Sequence, residues 1–306
     1  MEIALSSIQK AVRKEFPQAT LDGYEKINKG QINEVYRLDI KNIDTPLLLR
    51  KYSTNDYWKA KKEVNVYRTL AKQGKVPVPE IFIQDRKRNA LPFPYLLMSE
   101  LPGKDLQETF DSADNDTKEL LMERTGECLG KMHQIKYPAF GWIIDSVENW
   151  GEVIKRDLGW SIIENIFETN MPKKLIYRTL DYMYENMNLL EIKEKPVLVH
   201  NDFTMDNIKV QDNLISGVFD FEHALSGHNE YDFIKPDWLM FTNKKLKERF
   251  MSGYKKNSDV SSKFEERLKY YETQRAVGMY MWFYKNGNKE EAQKKLDVLK
   301  SNIGFD

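Results

Sequence analysis

His200-Asn201-Asp202-Phe203-Thr204-Met205-Asp206-Asn207 is followed, thirteen positions after its last residue, by Asp220-Phe221-Glu222. An Asp, an Asn five residues on and a second Asp opening a Phe-containing triplet are the groups that phosphoryl transfer from a nucleotide requires. One carboxylate must meet the acceptor hydroxyl, while an amide oxygen and a further carboxylate hold Mg²⁺ against the phosphates. Ile208-Lys209-Val210 and Leu214 through Phe219 read as short strands turned at Asp212-Asn213. Asn207 and Asp220 then fall at the same open end of a hairpin, where they can share one metal ion. Pro196-Val197-Leu198-Val199 is a short apolar strand that delivers Asp202 to that edge. Any one of these residues alone would be a local backbone hydrogen-bonder in a turn. Together they offer what Mg²⁺ prefers: oxygen ligands, with one or two carboxylates beside the substrate phosphates.

Upstream, the first hundred residues mix strand and helix. Residues 3–16 space their apolar positions as a helix does. Strands are expected at Tyr24 to Asn28, Val35 to Ile40, Pro46 to Tyr52, Ile81 to Ile83 and Tyr95 to Met98, with a turn at Gly30-Gln31-Ile32-Asn33. From Asp56 to Ala71 the period turns helical, with Ala60, Val64, Tyr67, Leu70 and Ala71 on the apolar stripe and Glu63 on the same face. Pro77-Val78-Pro79 ends it. These pieces make a small sheet lobe of five strands with one long helix. Leu101-Pro102-Gly103 punctuates the chain, and helices at 116–135, 147–168, 172–190, 243–255, 260–285 and 288–300 dominate the remaining two hundred or so residues. Gly126 and Gly130 permit close packing of the first of these.

The 306-residue chain carries 47 Lys plus Arg against 47 Asp plus Glu, so no basic excess points to nucleic acid or to an anionic membrane. No apolar run reaches the ~18 residues of a spanning helix. The first residues lack the basic and apolar segments of a secretion signal. Cys128 is the only cysteine, which excludes an internal disulfide and suits a reducing compartment. These features lead us to expect a cytoplasmic protein. The four histidines, His133, His200, His223 and His228, show no H-x-x-x-H pair, which argues against a zinc hydrolase.

A sheet lobe, a Pro-Gly hinge and a helical lobe carrying D-x-x-x-x-N and D-F-x resemble the eukaryotic-kinase-like fold, and within it the aminoglycoside phosphotransferase family. His200, Asp202 and Asn207 match that family's H-x-D-x-x-x-x-N loop, and Ser216-Gly217-Val218-Phe219-Asp220-Phe221-Glu222 its metal strand. Leu97 through Gly103, Val76-Pro77-Val78-Pro79 and Leu129-Gly130-Lys131-Met132-His133 are similar to the family as well. The resemblance implies an α+β, bilobal protein-kinase-like fold: residues 1–99 as nucleotide-binding lobe, 100–103 as hinge, and 104–306 as helical lobe with the acceptor site.

It also implies roles. Asp202 is the expected base, with Asn207 and Asp220 as Mg²⁺ ligands and His200 architectural. A strand cation holds the α- and β-phosphates, oriented by an acid on the lobe helix. Glu63 is that acid, since a lone carboxylate on an apolar face is costly without a partner. Leu48 and Arg50 share one strand face and Lys51 takes the other, so Arg50 is the aligned cation where many members carry lysine. Whether Arg50 or Lys51 meets phosphate stays open at this point. Gly30 and Ile32 belong to the phosphate-covering turn, and Ser99 and Leu101 offer backbone to the base of ATP or GTP. Thr204 stands where protein kinases often place a cation. Gly227-His228-Asn229-Glu230-Tyr231-Asp232 departs from the family's usual Gly-Asp-Pro-x-x-x-Asp and keeps only Asp232, which either braces the site or faces the acceptor. Glu222, Glu230 and Asp232 are the candidate acceptor-binding carboxylates.

The expected activity is transfer of the γ-phosphoryl of a nucleoside triphosphate to a hydroxyl of a small molecule, first among them an aminoglycoside. The same family covers kinases of macrolides, choline, homoserine and sugars. A non-catalytic nucleotide-binding regulator of the same fold is the rival from another class, and the retained Asp202, Asn207 and Asp220 argue against it. A protein kinase is disfavoured by the missing Ala-Pro-Glu and by the short span from Asp220 to Glu230. Oligomeric state is not legible.

Overall fold

In the computed structural model, the structure describes residues 3–27, 34–53, 57–143, 146–147, 149–235 and 243–305. Five antiparallel strands, β1 (Thr20–Ile27), β2 (Glu34–Lys41), β3 (Leu47–Lys51), β4 (Ile81–Asp85) and β5 (Tyr95–Ser99), form one sheet in the order β1-β2-β3-β5-β4. Alternation assigns its two faces. Tyr36, Leu38, Leu47, Leu49, Tyr95 and Leu97 point to one side and pack against Ile8, Ala11 and Val12 of helix α1 (Leu5–Val12). Tyr52 and Leu96 point to the other, under Ala60 and Val64 of helix α2 (Tyr57–Gln73). Arg50 is paired with Leu96 in the β3–β5 register and with Val35 in the β2–β3 register, so it lies at the sheet's centre on the α2 side. Helix α1 is shorter than the periodicity of 3–16 suggests. Beyond Val12 the chain tightens into turns, the Lys14 and Glu15 N–H groups bonding carbonyls three residues back, before Pro17 ends the run.

After β5 come β6 (Lys104–Asp105), α3 (Leu106–Ser112) and α4 (Asn115–Met132), the first two too short to register as periodic in sequence. Strands β7 (Phe140–Gly141), β8 (Ser146–Val147) and β9 (Val197–Val199) flank helices α5 (Trp150–Glu168) and α6 (Lys173–Glu185). The helix expected over 172–190 stops at Glu185. The Asn186 side chain bonds the Tyr182 carbonyl at 2.8 Å, and a 3₁₀ turn, Met187–Leu190, takes over. Strands β10 (Ile208–Gln211) and β11 (Leu214–Val218) form the expected hairpin, and Asp212 and Asn213 both have positive φ (51° and 58°), as a type I′ turn demands. β6 joins this hairpin as a third strand, whereas β9 pairs with β12 (Leu225–Gly227) in a separate four-stranded sheet, β8-β7-β12-β9. The chain ends with α7 (Lys244–Tyr254), α8 (Phe264–Lys285) and α9 (Lys289–Ile303).

Two compact units result. One comprises Met1–Met132, Asp202–Ala224 and Lys244–Lys256; the other His133–Asn201, Leu225–Asn243 and Asn257–Asp306. The first holds the five-stranded sheet, α1 to α4, the β10–β11 hairpin and α7. Here α4 and α7 touch backbone to backbone. A Cβ on Gly126 would stand 2.0 Å from the Phe250 carbonyl oxygen, and one on Gly253 1.8 Å from that of Glu123. Only glycine fits at either point. Half-exposed cations ring this contact: Lys256, just past α7, pairs with Glu123, and Arg249 reaches in to the buried Glu119. In the second unit α8 is the central helix, packed on α5, α6 and α9. Its Tyr271 meets Trp150 and Tyr231 edge-on in a buried aromatic cluster.

Candidate active site

Periodicity places the first acid. Ala60, Glu63, Val64, Tyr67 and Leu70 recur at helical spacing on α2, and all are buried. Glu63 is 0% exposed and therefore needs donors. It has three: Arg50 Nη1 at 2.9 Å and the Tyr67 hydroxyl at 2.8 Å reach Oε1, and the Tyr52 hydroxyl donates to Oε2. Burial raises the Glu63 carboxyl above its ordinary value, against the pull of Arg50.

Arg50 is only 4% exposed, and it gathers more than Glu63. Its Nη2 donates to Asp220 Oδ1 at 2.8 Å and to Glu222 Oε2 at 3.2 Å. Its Nε–H is buried and finds no hydrogen-bond partner among the described residues. Burial works against the charge of the guanidinium, but Asp220 and Glu63 overcome it and hold the group firmly protonated. Lys51, on the opposite strand face, pairs with Glu34 at 3.1 Å and lies over the Phe93 ring. Of the two, Arg50 is the cation beside Glu63. Lys62, fully buried next to Glu63, adds a second positive group, which burial pushes down to about 8 against the fields of Glu63 and Glu222.

The hairpin places the remaining pair. Asn207 precedes β10 and Asp220 comes after β11, and the Phe219 N–H donates to the Asn207 carbonyl at 3.1 Å. The Asn207 side-chain Nδ2 donates to the Asp202 backbone oxygen at 2.9 Å and to Asp202 Oδ2 at 3.0 Å. This bond orients Asp202 and assigns Oδ1 of Asn207 as the acceptor end of its amide. Asp220 sits in left-handed backbone, φ 65° and ψ 56°, a conformation costly for a side-chain-bearing residue. Its backbone N–H donates to the Tyr67 hydroxyl at 3.0 Å, and its side chain is 32% exposed.

Three carboxylates, Glu63, Asp220 and Glu222, therefore surround two cations, Arg50 and Lys62, which leaves net negative charge at the partly exposed Asp220 end. With the Asn207 amide oxygen this is a hard, oxygen-only donor pair suited to Mg²⁺ completed by phosphate oxygens. Among the described residues no group of three or more His, Cys, Asp or Glu is placed to hold a metal by itself. His133 and His228 are instead held by Asp232 and by the Tyr271 hydroxyl, and burial pushes His228 down to about 3.

The carboxylates expected to face an acceptor turn inward. Glu222 is buried between Arg50 and His223, and although burial pushes its carboxyl up, the His223 bond and Arg50 bring it down to about 2. In the second unit Asp232 is 0% exposed. It accepts from the His200 N–H at 2.8 Å, the Asn201 N–H at 2.7 Å and His133 Nε2 at 3.0 Å. It braces the segment leading to Asp202, and Asn201 there adopts φ 62°. Glu230 accepts from the Ser261 N–H at 2.6 Å, with Arg267 3.6 Å away. Buried carboxylates need such internal donors, and these three cannot form a solvent-facing surface for a polycation. On α5, Glu168 pairs with Lys285 on a half-exposed face.

The N–H of Ser99 donates to the Glu80 carbonyl at 2.9 Å and its hydroxyl accepts from the Glu80 N–H at 2.9 Å; Leu101 comes next but one, at the half-buried turn into β6. Gly30 and Ile32 lie outside the described residues. Sequence reading missed the hydroxyls of Tyr52 and Tyr67. Both have a signal: Tyr67 lies four residues after Glu63 on one helix face, and Tyr52 two after Arg50 on one strand face.

A strand cation tied to a helix acid, an Asp and Asn joined across a loop and a second Asp closing a hairpin define a kinase-like phosphotransferase. The model of the APH phosphotransferase enzyme family matches residues 23–247, and the chain belongs to that family. It is accordingly a small-molecule O-phosphotransferase. The streptomycin–ATP–APH(2″)-IIa ternary complex is similar at TM-score 0.72 and 15% identity over 100% of both chains. APH(4)-Ia is similar at TM-score 0.71 and 16% identity over 98% of each chain. The GDP and kanamycin complex of APH(2″)-IIIa is similar at 0.68 and 16%, over 97% of this chain and 98% of that one. At these identities the likeness is one of fold. No curated protein matches the chain in sequence.

Proposed function

We propose that this protein transfers the γ-phosphoryl of ATP or GTP to a hydroxyl of a small molecule, with an aminoglycoside-type antibiotic as the first acceptor to test. The single observation that supports the reading is that Asp202, Asn207, Asp220, Arg50 and Glu63, apart in sequence, belong to one compact unit and are linked in two hydrogen-bonded sets. In this reading Asp202, oriented by Asn207, accepts the proton of the acceptor hydroxyl. That oxygen bonds to the γ-phosphorus as the bond to the β,γ-bridging oxygen breaks, and the nucleoside diphosphate leaves. Asn207 and Asp220 would hold Mg²⁺, which when bound neutralises charge on the phosphates. Arg50 adds its charge toward the phosphates. The Ser99 carbonyl and Leu101 backbone are assigned to the nucleotide base. Solved relatives carry ATP or GDP, which is why both donors are kept.

Residues 1–99 then serve the nucleotide, 100–103 the hinge and 104–306 the acceptor. No helix among the described residues is long and apolar enough to cross a membrane, and a single buried cysteine suits a cytoplasmic setting, which we propose as well. Kinases of macrolides, choline, homoserine or sugars are the second reading. The inward-turned Glu222, Glu230 and Asp232 favour giving these neutral or singly charged acceptors equal place in a screen. Phosphate transfer from labelled ATP and GTP across those acceptor classes tests the proposal. Asp202→Ala should lower turnover by at least about a thousandfold while nucleotide still binds. Undiminished turnover in Asp202→Ala would remove the base from its role.

A further inference from the structure

Asp220, Tyr67 and Arg50 close a ring of hydrogen bonds with Glu63. The Asp220 N–H donates to the Tyr67 hydroxyl at 3.0 Å, and that hydroxyl donates to Glu63 Oε1 at 2.8 Å. Arg50 Nη1 donates to the same oxygen at 2.9 Å, and Arg50 Nη2 returns to Asp220 Oδ1 at 2.8 Å. Asp220 is thereby gripped twice, its carboxylate by arginine and its backbone by tyrosine, and both grips refer to one buried carboxylate. A hydroxyl has a single proton. With that proton directed to Glu63, the oxygen of Tyr67 is left to receive the Asp220 N–H, so the direction of every bond in the ring is determined.

We propose that Tyr67 is a positioning residue for phosphoryl transfer: its hydroxyl sets the backbone of Asp220, and so the aim of the carboxylate assigned to Mg²⁺, from the same acid that orients Arg50. This rests on the reading of Asp220 as a metal ligand. Three observations support it. Asp220 holds left-handed φ and ψ, which a non-glycine residue leaves unless something retains it. The Tyr67 ring is 1% exposed and stands edge-on to Phe221 at 5.5 Å, so the hydroxyl cannot swing away. Tyr52 supplies a comparison inside the molecule: its hydroxyl donates to the other oxygen of Glu63, a bond that does not involve Asp220.

Tyr67→Phe keeps the ring and removes both bonds of the hydroxyl. The probe is the non-hydrolysable analogue of whichever of ATP and GTP the wild type binds, titrated calorimetrically at a series of Mg²⁺ concentrations. Tyr67→Phe should raise the Mg²⁺ concentration for half-maximal binding about tenfold, the equivalent of one 1.4 kcal/mol hydrogen bond. The Tyr52→Phe shift should be several-fold smaller. A Mg²⁺ midpoint within about twofold of wild type in Tyr67→Phe, or equal shifts in the two variants, would overturn the inference while leaving the phosphotransfer reading intact. Wild-type protein whose nucleotide binding ignores Mg²⁺ would overturn both. Should Tyr67→Phe fail to fold, amide exchange in the wild type decides: the Asp220 N–H should be protected, and exchange at an exposed-loop rate overturns the proposed bond.

Discussion

The first unit contains two ionic networks built from the same side-chain chemistry in opposite solvents. Around Arg50, one guanidinium meets Glu63 and Glu222 almost out of contact with water, and the partly exposed Asp220 at its rim. Along α4 and the end of α7, Glu123 and Glu127 meet Arg249 and Lys256 on a half-exposed rim, where Lys245 and Arg249 also reach the buried Glu119. Water screens the second set, so each pair there contributes little. In the first set no water reaches Glu63 or Glu222 to replace a lost partner, and removing the cation strands their charge. The buried network is also tied by directed hydroxyl bonds, which fixes the aim of every group as well as its charge. Geometry held this closely is a requirement of phosphoryl transfer and not of helix pairing.

Arg50→Ala should break the comparison most strongly. It leaves three carboxylates around a void, and both about 3–5 kcal/mol of stability and nearly all transfer activity should go. Denaturant unfolding and a coupled assay check this; a variant with wild-type stability would show that the cluster is not uncompensated without its cation. Acid titration gives the intermediate effect. Glu222, lowered from about 4.5 to about 2, stabilises the folded state above pH about 4.5 and loses that contribution as pH falls toward 2. Glu63 is raised, so its own linkage runs the other way and favours the folded state more as it takes up a proton. Glu222→Gln should therefore flatten the acid limb of stability by roughly 3 kcal/mol between those pH values, read from unfolding midpoints. An unchanged limb would assign the acid dependence elsewhere. At the low end, Lys256→Met should cost less than about 1 kcal/mol, and adding about 0.5 M salt should erase even that difference. A salt-resistant loss would place that pair with the buried class.

Much of this architecture is legible in a single chain. Glu63 on an apolar helical stripe and Arg50 on one strand face are consequences of the 3.6- and 2-residue periods, and the five strands with their helix come from the same rule. The Asp212-Asn213 turn announces its hairpin through chemistry that only positive φ explains. The features that escape sequence reading depend on direction or on distant pairing. Tyr67 reads as one more residue of an apolar stripe and Tyr52 as the end of a strand, because periodicity sees a ring and not where its hydroxyl points. Glu222, Glu230 and Asp232 look like a surface for a cationic acceptor because acids in loops usually face water. Their inward turn depends on donors as remote as Arg50, Ser261 and His133. β12 is three residues long, below the span at which alternation can be recognised.

The glycine contacts of α4 and α7 govern how that pair can vary. With Gly126 and Gly253 each keyed into the main chain of the opposite helix, spacing and registry are locked by backbone shape, as a shaft is locked by its key. The charged rim is then decoration that can be rewritten, toward acidity for solubility or toward lysine for attachment to a support, without the helices shifting against each other. Alanine at either notch would do what no rearrangement of the rim could: pry the pair apart.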